Sequence, residues 1–412
     1  MSELREVFRN AIDLNRYSNS VSRRLIRAYN DAVLDAIDQL RGIDELASPV
    51  KAARLRAILA QLNESLRTWS GDSIATMTQE LQGLAVLQSE FAAEQLQKAL
   101  PAGAAATVGT VEISPALGQA IVTTQPTVAG VVNLSDSFDR IATNPIIFQL
   151  TVGQEISLPN GEVIRDAFSK MSDRQAELFS VAVRNGLLEG ESVPSIVRRL
   201  KGRLTKQQRG SIDTIIAAGG QATSIPNNQI RAIVRTSVNQ VATAADRIIA
   251  AENPDATAKY RYTATLDSRT SAICRALDGK VFKHGQGPYP PQHFNCRSRY
   301  VNIPIGLEKE FEEAREDYGE WLNKRGADET ADEHLLRKAQ VFGFSGKKGR
   351  DEKPSEFFAR VRRSPGGQRA RIFDNLVRKF GPSDAIRKFV AKDGSELTLD
   401  QLRDRGYGPS AS

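Results

Sequence analysis

Apolar side chains recur every three or four positions along the first hundred residues. One run of them comprises Val21, Leu25, Tyr29, Ala32, Val33, Ala36, Ile37 and Leu40. This spacing places them on one face of an amphipathic helix, with Ser18 or Ser20 as its N-cap. Residues 47–69 repeat the pattern, and residues 73–100 predict a third helix. Residues 1–100 are therefore predicted to be a helical region whose apolar faces pack on each other or on a partner.

The pattern changes at Pro101, where small and β-branched residues replace the charged ones. Such a composition disfavours a helix. Across residues 101–160 it predicts a linker or short strands, or alternatively an edge that pairs with another chain's sheet. Residues 154–164 predict two short strands around a Pro-Asn-Gly turn.

Helical periodicity returns in residues 161–254, which are predicted to form a helical stem. Its clearest apolar stripe is Ile230, Val234, Val238, Val241, Ala245 and Ile248. Asn253 and Pro254 then end the helix, because proline cannot continue one.

Residues 255–306, the compact module, alternate between short strand and helix patterns. "KYRYTAT" alternates as a strand does, "TSAICRAL" predicts one short helix, and "GKVF" and "SRYVNI" predict two more strands. Such a segment is too small for a large core, so we expect a staple or neighbouring helices to support it. The predicted fold class is therefore α+β, a predominantly helical chain with one small α+β module.

Residues 307–412 are predicted to form a basic, helical C-terminal region, in which Thr398 and Gln401 make a capping box.

From residue 343 to 382, eleven Lys or Arg residues stand against four Asp or Glu residues, a net charge of +7 that equals that of the whole chain. A solvated face is one interpretation, and contact with nucleic acid or an acidic partner is the other. The candidates for such contact are Lys347, Lys348, Arg350, Arg362, Arg363, Arg369 and Arg371. Three of the five phenylalanines in this stretch, Phe357, Phe358 and Phe373, have apolar neighbours, which favours core positions over a base-stacking platform.

Composition excludes several classes of protein. A chain of 412 residues with 40% apolar and 25% charged residues is typical of a soluble protein with several structural units. No stretch approaches the roughly 20 apolar residues of a membrane span, and we expect no secretory signal at the N-terminus. Two cysteines argue against a disulfide scaffold and for folding in the cytosol.

An ordered motif runs through residues 261–303. "TLDSRTSAICRALDGKVF" is followed by "PPQHFNCRSRYVNI". This order resembles the Mu F-like minor head protein family, also called the phage head morphogenesis domain. The family pattern maps to Asp267, Arg269, Thr270, Cys274, Leu277, Asp278, Gly279, Pro290, Pro291, His293, Asn295, Cys296 and Arg297. A weaker similarity extends over residues 160–412, and relatives often carry Cys where this chain has Ser271 and Ser298.

Seven of the motif residues are predicted to be structural. They are Asp267, Arg269, Thr270, Gly279, Pro291, Asn295 and Arg297. Asp267 and Arg269 are a charge pair at the turn from strand to helix, or Asp267 caps the helix that follows. Gly279 is a turn residue at which a positive φ is often required.

Cys274, His293 and Cys296 are the candidate metal ligands, because structural zinc takes four tetrahedral ligands that are usually Cys and His. The fourth ligand would be His284, Asp267 or a group from outside the protein. A buried, hydrogen-bonded cluster without metal is an alternative, since free Cys is among the most buried residue types. A disulfide between the two cysteines in the released particle is another. A Cys/His nucleophile pair would need an orienting third group.

The resemblance implies a minor capsid protein of a tailed bacteriophage, made in the host cytoplasm and located in the virion at the portal vertex or capsid interior. It would act in head assembly and in DNA packaging or delivery. Its partners would be the portal protein, major capsid or scaffold proteins and packaged DNA, with several copies per virion. The alternatives are a virion-borne metal-dependent nuclease or toxin-like enzyme, and an internal DNA-binding protein. The sequence has no Gly-rich phosphate loop and no Ser-His-Asp order, so no catalytic residue is assigned.

Overall fold

A computed structural model describes most of the chain. The described residues are 2–41, 48–99, 108–113, 120–127, 158–160, 162–189, 191–192, 195–197, 200, 224–254, 256–264, 270–306, 318–392 and 394–405. Among them, no helix combines the length and the apolar character that a membrane span requires.

Two helices, rather than three, occupy the described part of the first hundred residues. Helix α1 is Ser2–Arg41, and helix α2 is Ser48–Ala99. The predicted break between residues 69 and 73 is wrong, because α2 runs straight through Gly71. A glycine inside a helix costs about 1 kcal/mol relative to alanine. Burial of Trp69 and Met77 on either side of it offsets that cost.

The N-cap predicted at Ser18 or Ser20 is also wrong. Both serines are buried inside α1, and the hydroxyl of Ser18 donates to the carbonyl oxygen of Asn15 at 2.8 Å. A serine can satisfy its hydroxyl on the preceding helical turn, so its presence does not by itself start a helix. The buried face of α1 continues ahead of it through Leu14 and Tyr17.

Two further helices complete the helical body, by which we mean α1 to α4. Helix α3 is Ile164–Leu188 and helix α4 is Ser224–Glu252. Helix α2 packs against both, and α1 packs against α2 and α4. The apolar stripe predicted for α4 is buried along its whole length. The helix ends before Asn253 as predicted, and the Asn253 side chain donates to the carbonyl oxygen of Ile249 at 2.7 Å.

An aromatic cluster lies at the centre of the helical body. The ring of Trp69 packs edge-on against Tyr29 and Phe168, with centroid separations of 5.1 and 5.8 Å. The Trp69 Nε1 donates to the carbonyl oxygen of Leu25 at 3.0 Å, which satisfies its one polar group. This cluster ties α1, α2 and α3 together.

Short strands are present in the stretch predicted as a linker or strands. Strand β1 is Val108–Ile113 and strand β2 is Ala120–Thr127; they pair antiparallel, and β1 packs against α2 and α4. At the predicted Pro-Asn-Gly turn, the Leu158 amide donates to the carbonyl oxygen of Glu162 at 2.7 Å. The second strand predicted there is reduced to a single bridge at Val163, and the first lies outside the described residues.

The compact module contains each of the four predicted elements. They are strand β3, Thr257–Thr263, helix α5, Ala272–Leu277, strand β4, Val281–Lys283, and strand β5, Arg299–Pro304. The strands form an antiparallel sheet in the order β4-β3-β5. The predicted class, a predominantly helical α+β chain, is confirmed.

The described C-terminal residues form short helices that contribute to two further apolar clusters, one of which includes Ile12 of α1, while Leu402 joins the core of the helical body. The helices are α6, Tyr318–Asn323, α7, Ala331–Val341, α8, Pro354–Arg363, α9, Pro365–Phe380, α10, Pro382–Lys392, and α11, Leu399–Arg403. The Phe357 and Phe373 side chains are buried, and the partly buried Phe358 packs against Phe357, as predicted for core positions. The capping box of Thr398 and Gln401 is confirmed.

Candidate metal centre

Helix α5 begins at Ala272, directly after Ser271, and places Cys274 on its buried side. The Ser271 side chain accepts a hydrogen bond from the Cys274 amide at 3.2 Å, so Ser271 is the N-cap. The alternative in which Asp267 caps this helix is therefore wrong. Asp267 and Arg269 themselves lie outside the described residues. The carbonyl of Thr270 accepts from Arg275 at 3.2 Å, which ties the segment before the cap to the helix.

The turn after α5 has the geometry predicted for its glycine. Gly279 has φ +77°, and its amide donates to the carbonyl oxygen of Tyr262 at 2.8 Å. The Asp278 carboxylate accepts from the Ala264 amide at 2.8 Å. These bonds fasten the end of α5 to the end of β3.

A loop between β4 and β5 carries the other two candidate ligands. Its Pro290–Pro291 peptide is cis, and Asn295 has φ 59°, in the left-handed region. The Asn295 amide donates to Thr236 Oγ1 at 3.1 Å, and its side-chain oxygen accepts from Arg235 at 3.1 Å. Both partners lie on α4, so the loop is held against the helical body.

A second anchor on α4 holds the loop where it enters β5. Asn239 Nδ2 donates to the carbonyl oxygens of Cys296 and Ser298, each at 3.0 Å. Arg297, between them, is half-buried. Of the predicted structural residues, Pro291, Asn295 and Arg297 therefore belong to one loop segment, while Thr270 and Gly279 flank α5.

Three candidate ligand atoms converge where α5 meets this loop. The Cys274 Sγ lies 3.2 Å from His293 Nε2 and 3.6 Å from Cys296 Sγ. All three atoms lie within 4.8 Å of one another. Both cysteines are buried and free, whereas His293 is only half-buried.

Polar groups surround the two sulfur atoms. The Tyr262 hydroxyl lies 3.2 Å from Cys274 Sγ, and the Ser298 hydroxyl is in hydrogen-bonding reach of both sulfurs. The amides of Gln292 and Ser298 donate to Cys296 Sγ. The hydrogen bond from Cys274 lowers the pKa of Cys296 to about 6, and the same bond raises the pKa of Cys274 to about 12.

His284, named as a possible fourth ligand, lies elsewhere. Its Nδ1 is 3.0 Å from the Tyr289 hydroxyl, and its ring packs against Tyr260 at a centroid distance of 5.3 Å. Burial, with a smaller contribution from the Arg247 charge, lowers its pKa to about 4. It is not part of the group formed by the three ligand atoms.

A buried polar network beside the site escaped the sequence analysis. Asp246 accepts from Arg299 and from Gln88, the latter at 3.0 Å, and Gln88 in turn accepts from Asn10 at 3.2 Å. Arg299 also donates to Asn239 at 3.3 Å. The network joins α1, α2, α4 and β5. Its sequence signal is a second, polar stripe on α4 formed by Thr236, Asn239, Thr243 and Asp246, all of them buried.

The structure divides the candidate basic residues into two kinds. Lys347, Lys348, Arg350, Arg363 and Arg371 are exposed, and we call these five the basic surface. Arg362 is also exposed but pairs with Asp332. Arg369 lies over the rings of Phe342 and Phe389 and donates to the Phe342 carbonyl oxygen, so its contacts are internal.

Comparison with known families identifies the class of domain to which this site belongs. Residues 178–301, less than a third of the chain, match a family model. That family is described as phage Mu protein F like protein, and the match confirms the resemblance predicted from the motif. The matched residues include α4 and the compact module up to β5. No curated protein and no solved structure matches the chain.

Proposed function

We propose that this chain is a minor head protein that joins the portal vertex on the inner side of the capsid and acts in head assembly. The observation that carries this proposal is the Mu F-like match across residues 178–301. The hydrogen bonds from Thr236 and Asn239 to the loop of the compact module support it, because they make the matched residues one continuous structural unit. Portal, major capsid and scaffold proteins are the partners we propose, with several copies of this chain per virion.

Particle fractionation tests this role. We expect the full-length chain to sediment with procapsids and mature particles, and cross-links to join it to the portal protein. A chain that stays monomeric and absent from particles, while the portal assembles normally, would contradict the proposal. Particles from a deletion strain, complemented or not with the chain, provide the control.

We propose a structural rather than a catalytic role for the Cys/His cluster. Among the described His, Cys, Asp and Glu side chains, only Cys274, His293 and Cys296 form a group of this kind, and no carboxylate joins them. A metal nuclease generally needs acidic or further histidine ligands in addition to the metal-bound water. Nuclease activity of the purified chain that disappears in His293→Ala would overturn this part of the proposal.

We also propose that the basic surface contacts packaged DNA. Its five cations are exposed, and phosphate contacts of this kind release counterions, so the affinity falls as salt rises. Neutralising Lys347, Lys348 and Arg350 to glutamine should reduce the slope of log affinity against log salt by about 2–3. The matched control neutralises three exposed arginines of α2, Arg54, Arg56 and Arg67, and should leave the slope unchanged.

Two outcomes would contradict the DNA contact. One is equal loss of DNA binding in the α2 control, which would indicate a net-charge effect without a site. The other is unaltered DNA binding together with lost portal binding in the Lys347/Lys348/Arg350 variant. That result would assign the basic surface to an acidic protein partner.

A further inference from the structure

We propose that the compact module binds one zinc ion through Cys274 Sγ, His293 Nε2 and Cys296 Sγ, with a water at the fourth position beside the Ser298 hydroxyl. This site is independent of the head protein role, and neither proposal depends on the other. The ion would serve as the staple that a module of this size needs.

The separations of the ligand atoms fit a tetrahedral ion. Zinc lies about 2.3 Å from sulfur and about 2.0–2.1 Å from nitrogen. A tetrahedron with those bonds has edges of about 3.8 Å between sulfurs and about 3.5 Å between sulfur and nitrogen. The corresponding distances here are 3.6 Å between the sulfurs and 3.2 Å from Cys274 Sγ to His293 Nε2. The third separation, from His293 Nε2 to Cys296 Sγ, is at most 4.8 Å, so the ion would move the two shorter pairs apart by a few tenths of an ångström and hold the third pair at about 3.5 Å.

The histidine is oriented as a metal ligand requires. His293 Nδ1 lies 2.8 Å from the carbonyl oxygen of Phe294, which can only accept a hydrogen bond. The proton of a neutral ring therefore sits on Nδ1, and the lone pair of Nε2 points toward Cys274. Metal-bound histidines commonly have such an outer hydrogen bond, which fixes their tautomer and ring orientation.

Hydrogen-bond donors around the group of ligands also support the two sulfur atoms. The Gln292 and Ser298 amides donate to Cys296 Sγ, and the Tyr262 hydroxyl lies beside Cys274 Sγ. These donors stabilise thiolate charge in a water-poor site. On binding, the ion takes two thiolates and one neutral imidazole, and whatever protons the two sulfurs hold are released to solvent. This mixture of sulfur and nitrogen ligands favours zinc over magnesium or calcium, which prefer oxygen.

Zinc at this place would join two segments that are far apart in the chain. Cys274 belongs to α5, whereas His293 and Cys296 belong to the loop that Thr236 and Asn239 hold on α4. The ion would therefore fasten α5 to the helical body through that loop. Removing it should loosen α5 and residues 288–298 while α1 and α2 stay folded.

Metal analysis of the intact chain is the first test. We expect about one zinc per full-length chain purified under reducing conditions without chelator. A chelator should remove it and speed hydrogen exchange in α5 and the loop. Cobalt should replace it and give the absorption of a tetrahedral site with sulfur-to-cobalt charge transfer.

Single substitutions identify the ligands. Cys274→Ser, Cys296→Ser and His293→Gln should each weaken zinc binding by more than about 100-fold, since loss of an outer-shell partner alone costs about 10–100-fold. His334→Gln is the matched control, because His334 lies on α7 outside the group. Ser298→Cys should slow the loss of zinc to a chelator, because it adds a third sulfur where the Ser298 hydroxyl already reaches both others. Because Ser298→Cys should hold zinc more tightly, it separates an effect on the metal ligands from an effect on folding.

Two results would overturn the site. The first is a folded chain that holds less than about 0.2 zinc and takes up neither zinc nor cobalt, with both thiols titrating after denaturation. This result would establish a metal-free buried cluster. The second is a chain in which neither thiol titrates until a reductant is added, which would establish a disulfide.

Discussion

The helical body and the compact module are held together by different kinds of contact. In the helical body, α1 buries a long apolar row, Tyr17, Val21, Leu25, Tyr29, Val33 and Ile37, against α2 and α4. The apolar cluster around the candidate metal centre is small, comprising Tyr262, Ala264, Cys274 and Cys296 with two partly buried neighbours. The module makes up for this with directed hydrogen bonds from α4. Stability in the helical body is thus distributed, whereas around the candidate metal centre it rests on a few specific atoms.

The largest expected effect comes from opening the core of the helical body. Trp69→Ala should lower the free energy of unfolding by about 3–5 kcal/mol, because it leaves a cavity between Tyr29 and Phe168. Urea denaturation followed by circular dichroism measures this loss. The neighbouring exposed Thr68→Ala should change it by less than about 0.5 kcal/mol. A loss below about 1 kcal/mol for Trp69→Ala would mean that the aromatic cluster contributes little to the stability of the helical body.

A smaller effect is expected at the junction of the two regions. Asp246→Asn keeps the shape of the side chain but removes the charge that Arg299 contacts, which should cost about 1.5–3 kcal/mol. Amide hydrogen exchange should then speed up first in β5 and the loop of the compact module. Asp31→Asn, at an exposed position of α1, serves as the control. Equal loss of protection across α1 and β5 would show that the two regions do not unfold separately.

The smallest effect is expected inside the compact module. Ser271→Ala removes the N-cap of α5 and should cost about 1 kcal/mol locally. Faster exchange of the α5 amides, with unchanged exchange in α1 and α2, is the expected observation. Ser345→Ala, at an exposed loop position, is the control. No change in α5 would show that other contacts, such as the Gly279 turn, already fix the helix.

Sequence reasoning was most successful where local signals agree. In the compact module, strand alternation and the Asp278–Gly279 turn act within a few residues, as does the break at Asn253 just before it, and all appear in the fold. It failed for α2, because Ser70 and Gly71 carry a local signal for a break. Tertiary burial on both sides of Gly71 overrides that signal.

The candidate site was predictable only in part. The motif identified Cys274, His293 and Cys296, whose convergence depends on a loop conformation that no local pattern specifies. Asn239 and Asp246 were missed, because the apolar stripe of α4 is the clearer signal in the sequence and the polar stripe lies beside it. Arg369 was counted among surface charges, although its place over Phe342 and Phe389 depends on how α7, α9 and α10 pack.

The unbroken course of α2 sets a length scale for the protein. At 1.5 Å per residue, its path from Ser48 to the turn around Phe91, which lies beside β5, is about 65 Å. The compact module and anything bound near the first turn of α2 are therefore separated by a spacer of defined length. Inserting seven residues would lengthen the spacer by about 10 Å and rotate its far end by only about 20°. Inserting two would leave the length almost unchanged but turn the far end through about 200°. In this protein, α2 therefore specifies both the distance and the relative direction between its first turn and the compact module.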